Sequence, residues 1–460
     1  MAKFKVHHFT PNLLAIALIL LFIVPTEAFF RHLCFGELGN GRVDPIMSPG
    51  RPSQHLHVSF GASSFGFNPT IDDLLGSKCT SCSILQDHSV YWAPRMYFQH
   101  ANGTFEMVPT SGGMTVYYFT EGPGNGVEVA AFPQNFRMIA GNSNKRAFYG
   151  PMPDPPIAEW LDSDRTQQSL MEKATGFNCL HYNTSPNEGA REHHGLRDKA
   201  FIDANCYNGI RGELMFPSCW NGKDLDSDNH TTHVAYPYEV QYGDCPEGFP
   251  VRLPVLFYET IYQTPLFKGI DGEFVFSNGD PTGFGYHGDF MCAWEDGVLQ
   301  SAINNTACTS PASQGVQEAC PVFKIQDSGS CTRCKMEVPA VLQEEPINLI
   351  SELPGKVAVQ SGPESATVPG HSSSSTTASP PHPPPGPTAS MSQPYSNVAT
   401  PATTSNSECQ HTYTSHGMEV NLLLIEETVT VTIPDSATSL AGQHKRHLHQ
   451  HGHRDVRARL

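Results

Sequence analysis

Three short stretches of the chain hold residue types that carry acid-base or metal chemistry. His230 and His233 stand three apart in Asp226-Ser-Asp-Asn-His-Thr-Thr-His233, a spacing that turns both imidazoles to one side of a turn or short helix. His287 and Asp289 lie in Gly285-Tyr-His-Gly-Asp-Phe290, within a Gly-rich stretch that begins at Ser277. His230, His233 and His287 together make a three-ligand set for a divalent transition metal, with an open position for a water whose pKa zinc would lower toward about 7. His55 and His57 alternate on an extended segment, so a regular strand sends them to opposite faces, and His57 is read as the inner one.

A metal-free reading uses His57, His287 and Asp289 as the catalytic set. Elimination on an acidic polysaccharide needs a base and a group that neutralises a carboxylate, roles open to His57 or His287 with Tyr286, Arg51 and Gln54. A glycosidase would instead need two carboxylates about 5 to 10 Å apart, and Asp280 with Asp289 is the pair to consider. A binding module would use Trp92 and Trp220, with Asp280 and Tyr286, as platform and polar contacts for a sugar. The plainer alternative is that the histidines satisfy hydrogen bonds around Gly-rich turns, and that Trp220 packs on a bridge formed by Cys219.

These residues need elements to hold them. Most apolar runs are short and rich in β-branched and aromatic residues: His57-Val-Ser-Phe60, Met114-Thr-Val-Tyr-Tyr-Phe119, Val251-Arg-Leu-Pro-Val-Leu-Phe257 and Glu273-Phe-Val-Phe276. Helical periodicity is confined to Asp164 to Ala174 and Glu295 to Ile303. The expectation is a mainly β fold, a β-sandwich or jelly-roll-like domain with a few peripheral helices, followed by a disordered Ser/Thr/Pro-rich tail.

Compartment follows from the first residues. Lys3 and Lys5 precede an apolar run from Leu13 to Val24, closed by Pro25 and Thr26-Glu27-Ala28. This reads as a signal peptide over 1–28, its run too short to cross a bilayer, with no integral membrane association and a mature chain starting near Phe29. The organisation expected after it is a globular domain over 29–340, a Ser/Thr/Pro-rich linker over 341–408 and a tail over 409–460 that ends in a basic, His-rich stretch.

Thirteen cysteines fit an oxidising compartment, and twelve of them lie between Cys34 and Cys334. Cys79-Thr-Ser-Cys82 and Cys331-Thr-Arg-Cys334 look like zinc motifs, but their spacer is far longer than zinc modules use, so bridges are expected. Sequons at Asn102, Asn183, Asn229 and Asn304 are candidate glycosylation sites. A net charge of −17 argues against nucleic acid and anionic lipid as partners. There is no Gly-x-Ser-x-Gly elbow, no His-Glu-x-x-His, no phosphate loop and no dinucleotide fingerprint.

Several blocks together resemble the fungal secreted family of domain of unknown function 1996. They are Arg42-Val-Asp-Pro-Ile-Met-Ser-Pro-Gly50, Gln54-His-Leu-His57, Cys79-Thr-Ser-Cys82 with Asp87-His-Ser-Val-Tyr-Trp-Ala-Pro94, and Phe132-Pro-Gln-Asn-Phe-Arg-Met-Ile-Ala-Gly141. Phe216-Pro-Ser-Cys-Trp220 with Leu225-Asp-Ser227 and His230-Thr-Thr-His233, and Gly279-Asp-Pro-Thr-Gly283 with His287-Gly-Asp-Phe290, continue the likeness in order. It spans roughly Cys34 to Pro321. Two departures stand out: Asn221 where an aspartate is expected, and Met291-Cys-Ala-Trp294, which leaves Cys292 with an open partner. The resemblance implies an extracellular fungal protein, some relatives being joined to wall-binding modules, and it implies no reaction. The resulting expectation is a secreted protein with a His/Asp-lined polar cleft that acts on extracellular or cell-wall polysaccharide. A non-catalytic glycan-binding or structural wall protein is the alternative.

Overall fold

The computed structural model describes residues 27–122, 127–183 and 188–367, and the backbone of 411–415 and 418–422. The expected signal peptide up to residue 26, most of the tail, the candidate strand at Val429 to Ile433 and Cys409 lie outside the described residues.

Ten strands form two five-stranded antiparallel sheets. In chain order they are β1 (Phe29–Cys34), β2 (Gly39–Gly41), β3 (His57–Gly61), β4 (Val90–Pro94), β5 (Thr110–Phe119), β6 (Arg137–Gly141), β7 (Thr175–Cys179), β8 (Ile210–Met215), β9 (Val255–Tyr262) and β10 (His287–Met291). One sheet runs β1-β5-β9-β8-β7 and the other β2-β3-β4-β10-β6. Alternation along the strands gives each sheet an apolar face, and the two faces bury against each other. Phe30, Val116, Tyr118, Leu214 and Tyr258 of the first sheet share one core with Val58, Phe60, Tyr91, Met138 and Phe290 of the second. Tyr91 and Tyr258 meet edge to face at 5.8 Å, and the Tyr258 hydroxyl donates to the Asp289 carbonyl at 2.9 Å. This is the expected mainly β sandwich. The helices are peripheral and short, with Gln167–Lys173 and Val298–Ile303 falling inside the two stretches of helical periodicity. Pro254 divides the expected strand at 251–257 into Val251–Arg252 and the start of β9.

The same alternation turns His57, Ser59, Trp92, His287 and Asp289 to the outer face of the second sheet. That face is also covered. Trp92, Val90 and Met291 pack against Val43, Ile46 and Phe65, and against Met336 and Leu342 from the far end of the chain.

Five disulfides pin the loops: Cys34–Cys82, Cys79–Cys334, Cys179–Cys206, Cys219–Cys245 and Cys308–Cys320. Cys79 and Cys82 thus go to different bridges, Cys334 is bridged while Cys331 beside it is not, and Cys292 and Cys331 are buried free thiols. Burial pushes the Cys292 thiol up to about 12, so it behaves as a small apolar residue of the core.

One domain boundary moves. Residues 341–367 are not a detached linker, because Leu342, Ile350 and Leu353 are buried, and the Tyr97 hydroxyl donates to the Ile347 carbonyl at 2.8 Å. Apolar residues spaced through this stretch give it something to bury, which the Ser/Thr/Pro composition from residue 361 onward masked. Beyond it, His411–Ser415 and Met418–Leu422 form a two-stranded antiparallel hairpin in a separate unit. No helix among the described residues is long and apolar enough to cross a membrane. The side chains of Asn102, Asn183, Asn229 and Asn304 are all exposed.

Candidate functional site

Register explains why histidines distant in sequence meet. On the outer face β3 pairs His57 with Pro94 of β4, and β4 pairs Trp92 with Asp289 of β10. Continuing that register sets His287 level with Pro94 on its other side, so two imidazoles flank a flat pyrrolidine ring and lean over it. Their ring centroids are 5.9 Å apart. His55 precedes β3 in irregular backbone, held where the Ser53 hydroxyl donates to its carbonyl at 2.8 Å. Free of strand alternation, its ring turns to the same side as His57, at 4.4 Å between centroids. The opposite-face expectation for this pair fails for that reason.

His55, His57 and His287 therefore form one buried cluster whose ligating nitrogens lie within 4.8 Å of one another. The Nε2 atoms of His55 and His287 are 3.0 Å apart. His287 Nδ1 donates to the Gly285 carbonyl at 2.9 Å, which fixes the tautomer and leaves Nε2 with its lone pair toward the cluster. Neither nitrogen of His57 has a hydrogen bond of normal geometry, only a weaker influence from the Val43 backbone.

Burial holds all three imidazoles neutral. It lowers His55 and His57 well below the usual histidine range, with His57, His287 and Arg146 adding to the effect at His55 and His287 adding to it at His57. It lowers His287 to about 4, against the opposing pull of the Gly285 carbonyl. A group with a lowered folded-state pKa stabilises the fold above its ordinary pKa of about 6.5, and that contribution is lost as pH falls through the folded value. Chelator-treated protein is thus expected to lose stability steeply between about pH 6.5 and the value of about 4 at His287. Urea midpoints measured across that window check it, and a His55→Gln/His287→Gln variant with an equally steep slope would refute it.

A cavity of about 290 Å³, with mixed polar and apolar walls, opens onto His55. Its walls are Gln54, Ser143, Asn144 and Asn278 on one side and Lys356, Gln360 and Thr367 on the other. The second wall belongs to a strap, residues 353–367, whose Gln360 amide donates to the Gly279 carbonyl at 2.9 Å. Close approach is possible because Gly279 and Gly355 sit at positive φ, where a Cβ would lie 2.1 and 2.0 Å from the carbonyls of Ala358 and Gln54. Arg146, fully buried, ties the two walls together. Its guanidinium donates to the carbonyls of Ser143, Lys145, Asn278 and Gln360 and pairs with Asp280 at 3.7 Å.

Other expected residues are placed differently. His230 binds Asp226 at 2.8 Å, and His233 spends both nitrogens on Ser227 Oγ at 2.9 Å and the Arg137 carbonyl at 2.8 Å. Neither joins His287 in a ligand cluster among the described residues, so the three-ligand set of His230, His233 and His287 does not form. Asp280 accepts from Thr282 and Gly285 amides and faces Arg146, which makes it a brace for the Gly-rich loop rather than a free acid. Asp289 lies with Asp44 in the covered layer, where burial and the second carboxylate push it well above the usual range. The two candidate glycosidase carboxylates therefore occupy different environments, one against an arginine and one against another acid. Trp92 and Tyr286 are fully buried and cannot serve as sugar platforms. Trp220 is half-buried, donates to the Asp224 carbonyl at 2.7 Å and packs edge-on against Phe136. Asn221 replaces the expected aspartate as a turn cap, accepting the amides of Lys223 and Asp224 at 3.0 Å each. His32 with Cys34 and Cys82 is a second close group, but both its sulfurs are spent in a disulfide.

Fold and site define a disulfide-braced antiparallel β-sandwich with a three-histidine cluster on the outer face of one sheet. The chain belongs to the family described as Domain of unknown function (DUF1996), whose family model matches residues 44–294. No curated protein and no solved structure matches it. The matched segment holds all three histidines, Asp44, Asp289 and Arg146, and ends before the strap.

Proposed function

We propose that this is an extracellular, N-glycosylated fungal protein that takes a carbohydrate unit of cell-wall or other extracellular polysaccharide into the cavity at His55. The observation that carries the reading is the lining of that cavity. Gln54, Ser143, Asn144, Asn278, Gln360 and Thr367 present amides and hydroxyls beside the apolar side chains of Val357, Ala358 and Ala366, with Lys356 the one cation in the lining. Such walls suit a ligand that both donates and accepts hydrogen bonds along its length, and a volume near 290 Å³ is at the small end for ligand sites. The five disulfides, the exposed sequons and the signal-peptide pattern support the compartment. His55, neutral through burial and backed by His287, is the group available as a base toward a bound sugar.

A non-catalytic binding role uses the same cavity. It is favoured by one observation: of the three histidines, only His55 lines the cavity. Glycan arrays followed by calorimetry on the full chain separate the cases. Gln54→Ala is expected to weaken glycan binding about tenfold, the equivalent of one lost hydrogen bond. His55→Gln is expected to keep binding and abolish product. Failure of the wild-type protein to retain any glycan, or equal retention by Gln54→Ala, would remove the carbohydrate reading. Binding without product from any retained glycan would leave the non-catalytic role.

A further inference from the structure

We infer that His55, His57 and His287 are the ligands of a single divalent transition-metal ion, with a coordination position open toward the cavity. The inference is compatible with carbohydrate binding in the cavity but replaces the free-base role of His55, and it starts from nitrogen positions. Two nitrogens on one tetrahedral ion, each about 2.0 to 2.1 Å from it, are about 3.3 Å apart. The Nε2 atoms of His55 and His287 are 3.0 Å apart, close to that spacing, and the third ligand nitrogen lies within 4.8 Å. Small rotations of the three rings suffice to bring them onto one centre.

Orphaned atoms point the same way. Both nitrogens of His57 are buried without a normal hydrogen bond, a costly arrangement for a ring with two polar atoms. A metal bond at one of them removes half of that cost. His287 already has the outer contact that metal-bound histidines use, since its Nδ1 donates to the Gly285 carbonyl and its Nε2 is left to bind. Gly285 itself is constrained: a Cβ there would meet the Arg146 guanidinium at 2.5 Å, and the carbonyl that orients His287 also accepts from the Asn278 side-chain amide at 2.9 Å.

The donor set selects the class of ion. Three imidazoles and no carboxylate suit zinc, copper, nickel or ferrous iron, whereas magnesium and calcium require oxygen ligands. Asp289 lies two residues along β10 from His287 on the same face, and its Oδ2 is buried without a hydrogen-bond partner. Arg146 adds positive charge beside His55 and His287, and Asp280 at 3.7 Å offsets part of it. His55, the ligand that reaches the cavity, places the open position where a water or a ligand oxygen could enter.

The test uses the full chain with His444, His447, His449, His451 and His453 changed to Ala, so that the tail cannot bind metal. Protein equilibrated with Co(II) or Zn(II) and freed of excess is assayed by plasma mass spectrometry, and the Co(II) form by visible absorption. One equivalent per chain is expected, with the strong visible bands of four-coordinate Co(II). His57→Ala and His287→Gln are each expected to weaken binding at least 100-fold. If those variants fail to fold, electron paramagnetic resonance of the Cu(II) form of the otherwise unchanged protein still reads the ligands, and three-nitrogen hyperfine structure is expected. Less than 0.1 equivalent bound, a weak six-coordinate Co(II) spectrum, or occupancy unchanged in a folded His57→Ala variant would each overturn the site. Sugar binding by chelator-treated protein is scored separately, so either reading can fail alone.

Discussion

Arg146→Ala is expected to lower stability by about 3–5 kcal/mol and to release the strap of residues 353–367. The side chains of Arg146 and Asp280 are both fully buried, and burial disfavours the charged form of each. Their mutual attraction is therefore not a large net gain, and replacing both with apolar residues of matching volume would cost little by itself. Removing the arginine alone is different. It strands the carbonyls of Ser143, Lys145, Asn278 and Gln360 in a place with few replacement donors, and it leaves a buried carboxylate facing nothing. Asp280 would keep its amide contacts from Thr282 and Gly285, so the Gly-rich loop should survive better than the strap. The strap loses the guanidinium contact at Gln360 and keeps the amide bonds from Gln360 to Gly279 and from Ala366 to Asn144. Arg146→Lys tests shape against charge, because an ammonium reaches one or two of those carbonyls and not the planar set. Urea unfolding with limited proteolysis across 353–367 is the measurement. A shift under 1 kcal/mol with the strap still protected would show that the guanidinium is not what joins the walls.

The second large effect concerns Cys79–Cys334. It closes a loop with a sequence separation of 255, against 12 for Cys308–Cys320. In the chain-entropy account, stabilisation grows with the logarithm of loop size, so the longer bridge is worth roughly 2–3 kcal/mol more than the shorter one. Cys79→Ala/Cys334→Ala should thus cost about 4–5 kcal/mol and Cys308→Ala/Cys320→Ala about 2–3. The structural consequence differs too. Cys334 is next to Met336, which lies over Ser59 and helps cover the outer face that carries the histidines. Denaturant midpoints of the two double variants check the order. Equal losses, or a larger loss for the short bridge, would refute it.

Much of the fold was readable because strands announce themselves locally. Val58 and Phe60, Tyr91, and Phe257 alternate or cluster with β-branched neighbours, and the sandwich follows from giving them one common interior. Candidate residues were legible as types and not as a set. His287 was picked out and grouped with His57 in the metal-free set, yet its partners in the metal set were misassigned, since His233 stands closer in sequence while His55 and His57 come together with it only through the order β3-β4-β10. Strand order is a property of the whole chain, and no local spacing reports it. His55 was turned the wrong way because alternation was applied to backbone that is not yet strand. Asp44 stood in a quoted block without a role, its position opposite Asp289 being another product of sheet packing. Arg146 and the strap carried no signal at all. A lone arginine in Lys145-Arg-Ala looks like solvated surface, and a stretch bordering a Ser/Thr/Pro run looks like linker until its Leu353 and Ile350 find a hydrophobic seat.

The cavity has a floor and one side drawn from the segment shared with the family, and its opposite side from the strap at 353–367, beyond that segment. Such a division lets the two walls vary separately. Exchanging Lys356, Gln360 and Thr367 for other residues would change what enters without disturbing the imidazoles beneath. In this architecture the wall at 353–367 can change shape and charge while the histidines, held by the segment at 44–294, keep their places.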